Sequence, residues 1–421
     1  MILRDQIYVQ IASYRDPELL PTIRDCLDKA KYPERLIFGI CWQHSAEDEW
    51  DNLDEYKNNP NFRIMDVPHT EAESVCWARN KLQKMWRDEK YTLQLDSHHR
   101  FEQDWDETLI EMMETLQKKG HKKPLLTAYI PSYDPKNDPR GRAKAPWRMA
   151  FDRYTPEGVV FFLPEDIPNW EELDCPVPSR FFSAHFAFTL GFFCREVQYD
   201  PNYYFHGEEI SLAARAYTAG YDLFHPHKPV VYHEYTRKGR TKQWDDDKTW
   251  GEKNAHSHLR NRKLFSMDGE TYIPQEFGIY GFGKFRSLRD YERYSGLLFS
   301  KRSVQQYVLD KNYPPNPQIF NTEQEWLDSY ISVFKHCIDI GYDQVPEKDY
   351  DFWAVAFHAE NGDTLFRQDA DENEIKRMFK DPDGYCKVWR EFHTQERPKY
   401  WVVWPHSKSK EWCQSIRGNL R

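Results

Sequence analysis

Apolar residues in the first 130 positions come in short runs set apart by longer amphipathic stretches. Residues 7–12 (IYVQIA), 36–42 (LIFGICW), 62–67 and 91–95 (YTLQL) are rich in β-branched and aromatic side chains, the pattern of buried strands. Residues 19–31, 70–86 and 105–118 read as helices. The second of these turns Ala72, Val75, Cys76 and Leu82 toward one face. Strands alternating with helices predict an α/β fold, with a mainly parallel sheet covered by helices on both faces. In such sheets ligands sit beyond the carboxyl ends of the strands. Ser13-Tyr14-Arg15-Asp16-Pro17 and Asp96 to Arg100 both fall there.

Further along, residues 131–149 are rich in Pro, Lys, Arg and Asp and read as a long loop. A helix begins near Glu208 and is stopped by Gly220. Residues 228–233 (KPVVYH) form a short strand ending at His233. Residues 237–263 are so highly charged that they read as a mobile surface segment. The Pro-rich stretch 313–317 breaks any helix and marks a boundary. Residues 323–340 read as helical. The last 70 residues alternate as strands at 352–358, 364–368, 385–392 and 400–404, with an Asn361-Gly362 hairpin turn and a helix at 371–379. The expected organisation is an α/β domain over 1–310, a helical linker over 311–348 and a small α+β unit over 349–421.

Composition narrows the class. A chain of 421 residues suggests two to three domains. Its 15 Trp, 26 Tyr and 26 Phe supply a large core and exclude global disorder. Aromatic faces also pack on pyranose rings, although core packing accounts for most of them. The net charge of -10 argues against a nucleic-acid partner but leaves room for a local basic pocket. Eight cysteines without a CxxC pair point to reduced thiols and a cytoplasmic location. No signal peptide is expected. Residues 181–193 are too short for a transmembrane segment and read as buried core. Oligomeric state is not legible.

Four segments carry candidate chemistry. In Leu95-Asp96-Ser97-His98-His99-Arg100, a carboxylate and a histidine two apart at a strand end can turn toward one ion. Such a pair is also common in ordinary loops, and His99 competes with His98 as the ligand. A divalent cation neutralises the leaving-group charge when a sugar leaves a nucleotide diphosphate. Mixed oxygen and nitrogen ligands suit Mn2+, with Mg2+ or Zn2+ as alternatives. Glu208 and Glu209 open a helix, where the dipole favours acidic residues in any case. A carboxylate there is also placed to bond sugar hydroxyls. His233 is a candidate third ligand, and Arg237 beyond it a phosphate partner. Arg79 in Cys76-Trp77-Ala78-Arg79-Asn80 is a candidate for the diphosphate or for orienting Asp96.

The order of these segments resembles one family. IYVQIASYRDPELLPTI, CWARN, LQLDSHHRF, the long stretch containing GEEISLAARAYTAGYD and running on to VVYH, and YGFGKFRSLRDYERYSG are similar to the cytoplasmic hydroxyproline N-acetylglucosaminyltransferases and their bacterial members. The similarity covers roughly the first two thirds of the chain. More distantly it resembles the mucin-type polypeptide N-acetylgalactosaminyltransferases. The resemblance implies a GT-A fold, a UDP-sugar donor, a divalent metal on Asp96, His98 and His233, and a pocket carboxylate at Glu208 or Glu209. It places the nucleotide against Ser13, Tyr14 and Arg15, with Arg79 nearby. It further implies a retaining transfer to a hydroxyl acceptor on a glycan, protein or small molecule. The competing readings are an inverting polysaccharide glycosyltransferase, with Glu208 or Glu209 as base, and a non-catalytic carbohydrate-binding protein on the same fold.

Overall fold

A computed structural model of the chain describes residues 5–236, 239–382 and 384–420. The strands of its first half are β1 (Ile7–Tyr14), β2 (Leu36–His44), β3 (Phe62–Pro68), β4 (Tyr91–Leu95), β5 (His99–Phe101) and β6 (Pro124–Thr127). After these come the hairpin β7 (Trp147–Tyr154) and β8 (Val160–Asp166), then β9 (Val177–Pro178), β10 (Phe186–Leu190), β11 (Asp222–His225) and β12 (Val231–His233). Eight of them form one sheet in the order β3-β2-β1-β4-β10-β6-β11-β9. Its left half, β3 to β4, is parallel throughout. β10 runs antiparallel between β4 and β6, so the sheet is mixed at its centre. The strands β1, β2 and β4 are apolar because both of their faces are covered.

The helices are α1 (Leu19–Lys29), α2 (Val75–Gln83), α3 (Trp105–Lys118), the single turn α4 (Phe193–Glu196) and α5 (Glu208–Thr218). Ser74 caps α2 by accepting the Trp77 N–H at 3.0 Å. α5 starts after Gly207, whose φ of 107° is a left-handed conformation suited to glycine. α1 and α3 bury Ile23, Leu109 and Met113 together with Leu93 and Phe186 of the sheet. Trp105 is fully buried there, its indole N–H donating to the Cys26 carbonyl at 2.9 Å. No helix among the described residues is long and apolar enough to cross a membrane.

Two expectations change. The charged stretch 237–263 is not a loose segment. Its described part folds into α6 (Gln243–Asp246) and the 15-residue α7 (Trp250–Leu264), which buries Ser257, Asn261 and Leu264. Residues 323–340 are not one helix. A short helix, Glu323–Asp328, gives way to a 12-residue strand. The β-branched Ile331, Val333, Ile338 and Ile340 favour the extended chain, and strand pairing outweighs the helical spacing.

That strand, β15 (Tyr330–Gly341), follows β13 (Leu297–Leu298) and β14 (Ser303–Gln305). The remaining strands are β16 (Tyr350–His358), β17 (Thr364–Arg367), β18 (Ala370–Asp371), β19 (Tyr385–Thr394), β20 (Tyr400–Ser407), β21 (Glu411–Trp412) and β22 (Ile416–Asn419). β15 pairs with β14 on one side and β19 on the other, carrying the chain from the first two thirds into a C-terminal β unit. The C-terminal core gathers Trp353, Val355, Phe357 and Val403 over one helix, Glu372–Met378.

Replacing Trp105 with alanine removes a buried indole and its hydrogen bond. Trp105→Ala is expected to lower the unfolding free energy by about 3–5 kcal/mol in a denaturant melt. A loss below about 1 kcal/mol would show that α3 is not a structural support of the sheet.

Candidate functional site

β4 ends at Leu95, and Asp96, Ser97 and His98 turn the chain into β5. β12 lies antiparallel to β5 with His233 opposite His99. The His233 backbone is fixed on its other side too: its N–H donates to the Pro131 carbonyl at 2.9 Å, and its carbonyl accepts from Tyr133 at 3.2 Å. This pairing brings residues 96, 98 and 233 to one point. Asp96 Oδ2 stands 3.7 Å from His98 Nε2 and 3.5 Å from His233 Nε2.

Each side chain is oriented from behind. His98 Nδ1 meets Asp16 Oδ2 at 2.8 Å, which leaves Nε2 free to face Asp96. Asp16 also accepts from the Ser97 hydroxyl at 2.7 Å and from Arg240 at 2.9 Å. Burial would raise the Asp16 carboxyl, but His98, Arg240 and Ser97 outweigh it and hold it well below the usual range. Arg79 donates to Asp96 Oδ1 at 2.6 Å. Burial likewise works against ionised Asp96, and the two histidines and Arg79 reverse the effect.

The donor chemistry fits a divalent cation. Both ring nitrogens of buried His233 have no hydrogen-bond partner, and burial keeps the ring neutral with a lone pair available. Three ligating atoms within 4.8 Å of one another match ligands that share one ion at bond lengths of about 2.1 Å. His99 is excluded as the ligand. Its Nδ1 bonds the Tyr232 carbonyl at 3.0 Å and its Nε2 accepts the Asp96 N–H at 3.2 Å, so neither nitrogen is left over. His185 stacks on His233 with ring centres 4.3 Å apart and packs the ring from the interior.

The cluster opens into a cavity of about 150 Å³ walled by Tyr14, Val75, Tyr204, Phe205, Arg240 and Trp244. Of the residues the sequence placed at a nucleotide, Tyr14 is on this wall. Ser13 is buried beside it, its carbonyl accepting from Gln43 at 3.0 Å. Arg15 is held by Asp48 at 2.7 Å and Asp246 at 3.1 Å. Arg79 lies behind Asp96, with its other terminal nitrogen 4.0 Å from Glu208. Glu209 accepts from the Ala184 N–H at 2.8 Å and the Tyr129 hydroxyl at 2.9 Å. Burial raises both glutamates above their ordinary range. Arg237 lies outside the described residues. The sequence reading placed Asp16 at the ligand end of β1 without giving it a role, and Arg240 and Trp244 escaped it. Asp16 sits in the same strand-end turn as Tyr14, but the other two lie in a run whose charge masks them.

Comparison with solved structures places the chain beside GalNAc-T7 with UDP, GalNAc and Mn2+, at 12% identity and a TM-score of 0.52, covering 100% of this chain and 80% of that one. That likeness is one of fold. Weaker matches are S. aureus TarS 1-349 in complex with UDP-GlcNAc, 13% identical with a TM-score of 0.35, covering 57% of this chain and 61% of that one. Another is the mannosyltransferase PcManGT from Pyrobaculum calidifontis in complex with GDP-Man and Mn2+, 12% identical with a TM-score of 0.36, covering 57% and 59%. Comparison with curated proteins gives no match. The family described as Glycosyltransferase (GlcNAc) matches residues 6–59 and 51–301, a span that holds the sheet, the turn after β4 and all three candidate ligands. By that match the chain belongs to this glycosyltransferase family.

Proposed function

We propose that the protein is a metal-dependent retaining glycosyltransferase that moves N-acetylglucosamine, or a related hexose, from a UDP-sugar to a hydroxyl acceptor. The observation that carries the reading is the Nε2 of buried His233, which lacks a hydrogen-bond partner and lies 3.5 Å from the Asp96 carboxylate, in one cluster with His98 at the floor of a cavity. GalNAc-T7, the fold relative with UDP, GalNAc and Mn2+, supports the same chemistry.

Asp96, His98 and His233 would hold Mn2+ or Mg2+. When bound, such an ion supplies Lewis-acid neutralisation of the charge that builds on the departing diphosphate. Arg79 fixes Asp96, and Asp16 fixes the tautomer of His98. Tyr14, Tyr204, Phe205 and Trp244 offer flat apolar surfaces for the uracil and hexose rings. Arg237 is kept as a candidate phosphate partner, and Ser13 and Arg15 as residues that shape the nucleotide side. In a front-face transfer the diphosphate oxygen of the donor accepts the acceptor's proton, so no protein nucleophile is needed. Glu208 and Glu209 then orient groups instead of attacking. The engagement of both Glu209 oxygens and the position of Glu208 against Arg79 favour that role. Acceptors range from a protein hydroxyproline, as the family resemblance implies, to a glycan or a small molecule. The eight free cysteines support a cytoplasmic setting.

The deciding experiment is UDP release from a panel of UDP-sugars, with Mn2+ and with EDTA. One donor is expected to turn over with metal, and Asp96→Ala to reduce the rate by about two orders of magnitude or more. Binding of sugars without UDP release from any donor would sink the transferase reading and favour a lectin. For the product, NMR is expected to show an α-linkage. A β-linkage would transfer the case to an inverting mechanism with an essential base. Asp16→Asn should weaken Mn2+ binding by about 10–100-fold in a titration, because it removes the partner that orients His98. Unchanged metal affinity in that variant would show that the contact behind His98 is only structural.

A further inference from the structure

A cavity of about 710 Å³ opens on the C-terminal β unit and shares no residue with the metal-ligand cluster. Its walls come from the connection between β15 and β16 and from the segment that runs from β21 into β22. The volume is in the usual range for small-molecule sites. Trp412 is the largest apolar side chain on the wall.

Trp412 does not stand alone. Strand pairing sets Phe352, His406 and Trp412 in one row across β16, β20 and β21. The row faces outward, because Trp353 and Val403 occupy the core on the other side of the sheet. The Phe352 and His406 rings stack at 4.9 Å. The Trp412 ring stands nearly perpendicular to both, 5.1 Å from His406 and 5.4 Å from Phe352. Trp404, two residues before His406, comes within 4.5 Å of Trp412 between ring centres, and its indole N–H donates to the Cys413 carbonyl at 2.8 Å. Both indoles are therefore held in place, yet Trp404 is 44% exposed and Trp412 45%. Fixing two indoles in water forfeits the gain that burial would bring, and an exposed apolar patch rimmed by polar residues marks a binding site.

The polar part of the wall narrows the ligand. Asp343 and Glu347 stand against Lys410 and Arg417, so the charge is balanced. Glu347 and Lys410 already pair at 2.6 Å, and the Arg417 guanidinium lies over the Tyr400 ring at 3.7 Å. This arrangement calls for neither an anion nor a cation. Gln414 and Ser415 are exposed on the same wall, and an amide and a hydroxyl can each donate and accept. Four charged side chains around one indole are too many for the core of a protein–protein contact, which is depleted of charge. A neutral ligand with an apolar face and a rim of hydroxyls matches the combination. A pyranose ring is such a ligand: its axial C–H bonds pack on an aromatic face, and its hydroxyls reach amide, hydroxyl and carboxylate groups at the edge.

We infer that this cavity, with the adjacent Trp404, is a binding site for a neutral oligosaccharide. Trp412 and Trp404 supply the stacking surface, and Gln414 and Ser415 bond hydroxyls. The inference does not rest on the transferase reading, because none of these residues belongs to the metal-ligand cluster.

Calorimetric titration of the full chain in EDTA tests it with cellohexaose, maltohexaose, mannohexaose and N-acetylchitohexaose, and with an oligogalacturonate as the charged control. At least one neutral probe is expected to bind with a Kd below about 1 mM and to change the tryptophan fluorescence. Trp412→Ala is expected to weaken that binding by about tenfold or more, Trp412→Phe to keep most of it, and Asp96→Ala to leave it unchanged. Gln414→Ala alters only an exposed side chain, so it should fold, which its melting curve would check. It should weaken binding about threefold to tenfold through one lost hydrogen bond. No binding of any neutral probe, tighter binding of the oligogalacturonate than of all of them, equal binding by both Trp412→Ala and Gln414→Ala, or loss of binding in Asp96→Ala would each overturn the proposal. So would a dimer in sedimentation that Trp412→Ala converts to monomer, since a second copy of the chain would then cover the indoles.

Discussion

The three-residue pairing of β5 with β12 is the constraint on which the candidate centre depends. It joins segments 130 residues apart and sets His233 directly opposite His99. His99 does not join the cluster itself. It is consumed in holding the turn, with one nitrogen on the Tyr232 carbonyl of β12 and the other on the backbone N–H of Asp96. The ring therefore bridges the two strands that carry the ligands. A strand register admits no half steps, and a slip by one residue would turn His233 to the opposite face. The adjacent histidines thus divide the work: His98 points into the cavity, and His99 sets the distance.

Charge explains the rest of the floor. Asp96 would be costly to bury as an isolated anion. Arg79 stands beside it on α2, with Glu208 on α5 at the far side of the same guanidinium. One buried cation thus orders two acidic segments, the turn after β4 and the start of α5. Removing either member of such a group leaves charge without a partner, a larger penalty than the intact pair's net contribution. Glu209, one residue on, serves the scaffold by bonding the Ala184 N–H and the Tyr129 hydroxyl, which belong to the segments flanking β10 and β6.

Much of this was legible in the sequence. The apolar runs located β1, β2, β3 and β4, and the strand-end rule put Asp96 and the turn after β1 at the ligand side. The distant His233 was assigned from a motif order, since spacing alone cannot tell which later histidine pairs back on β5. The region 330–341 was misread because Tyr330, Val333 and Cys337 recur at helical intervals as well as on a strand. The presence of β14 and β19 on either side decides the matter, and neither is local information. Arg240 and Trp244 were hidden for a related reason. A run of charged residues looks solvated until a partner such as Asp16 is known to lie beneath it.

The turn after β1 condenses the logic of the site. Tyr14 forms wall, and its hydroxyl donates to Asp246 at 2.7 Å. Arg15, at a positive φ of 45°, turns away from the cavity to bind Asp48 and Asp246. Asp16 turns inward to orient His98. Three consecutive residues therefore form a wall, anchor α6 above the cavity and support a candidate metal ligand beneath it. The two anchoring contacts are not equivalent to the buried ones. An ion pair as open to solvent as Arg15 with Asp246 contributes up to about 1 kcal/mol, whereas Asp16 is enclosed on every side by His98, Ser97 and Arg240. The floor of the site is accordingly rigid, and its roof is held more weakly. On the proposed reading, in which a nucleotide-sugar donor enters and a diphosphate leaves, the cleft is served by that distribution of strength.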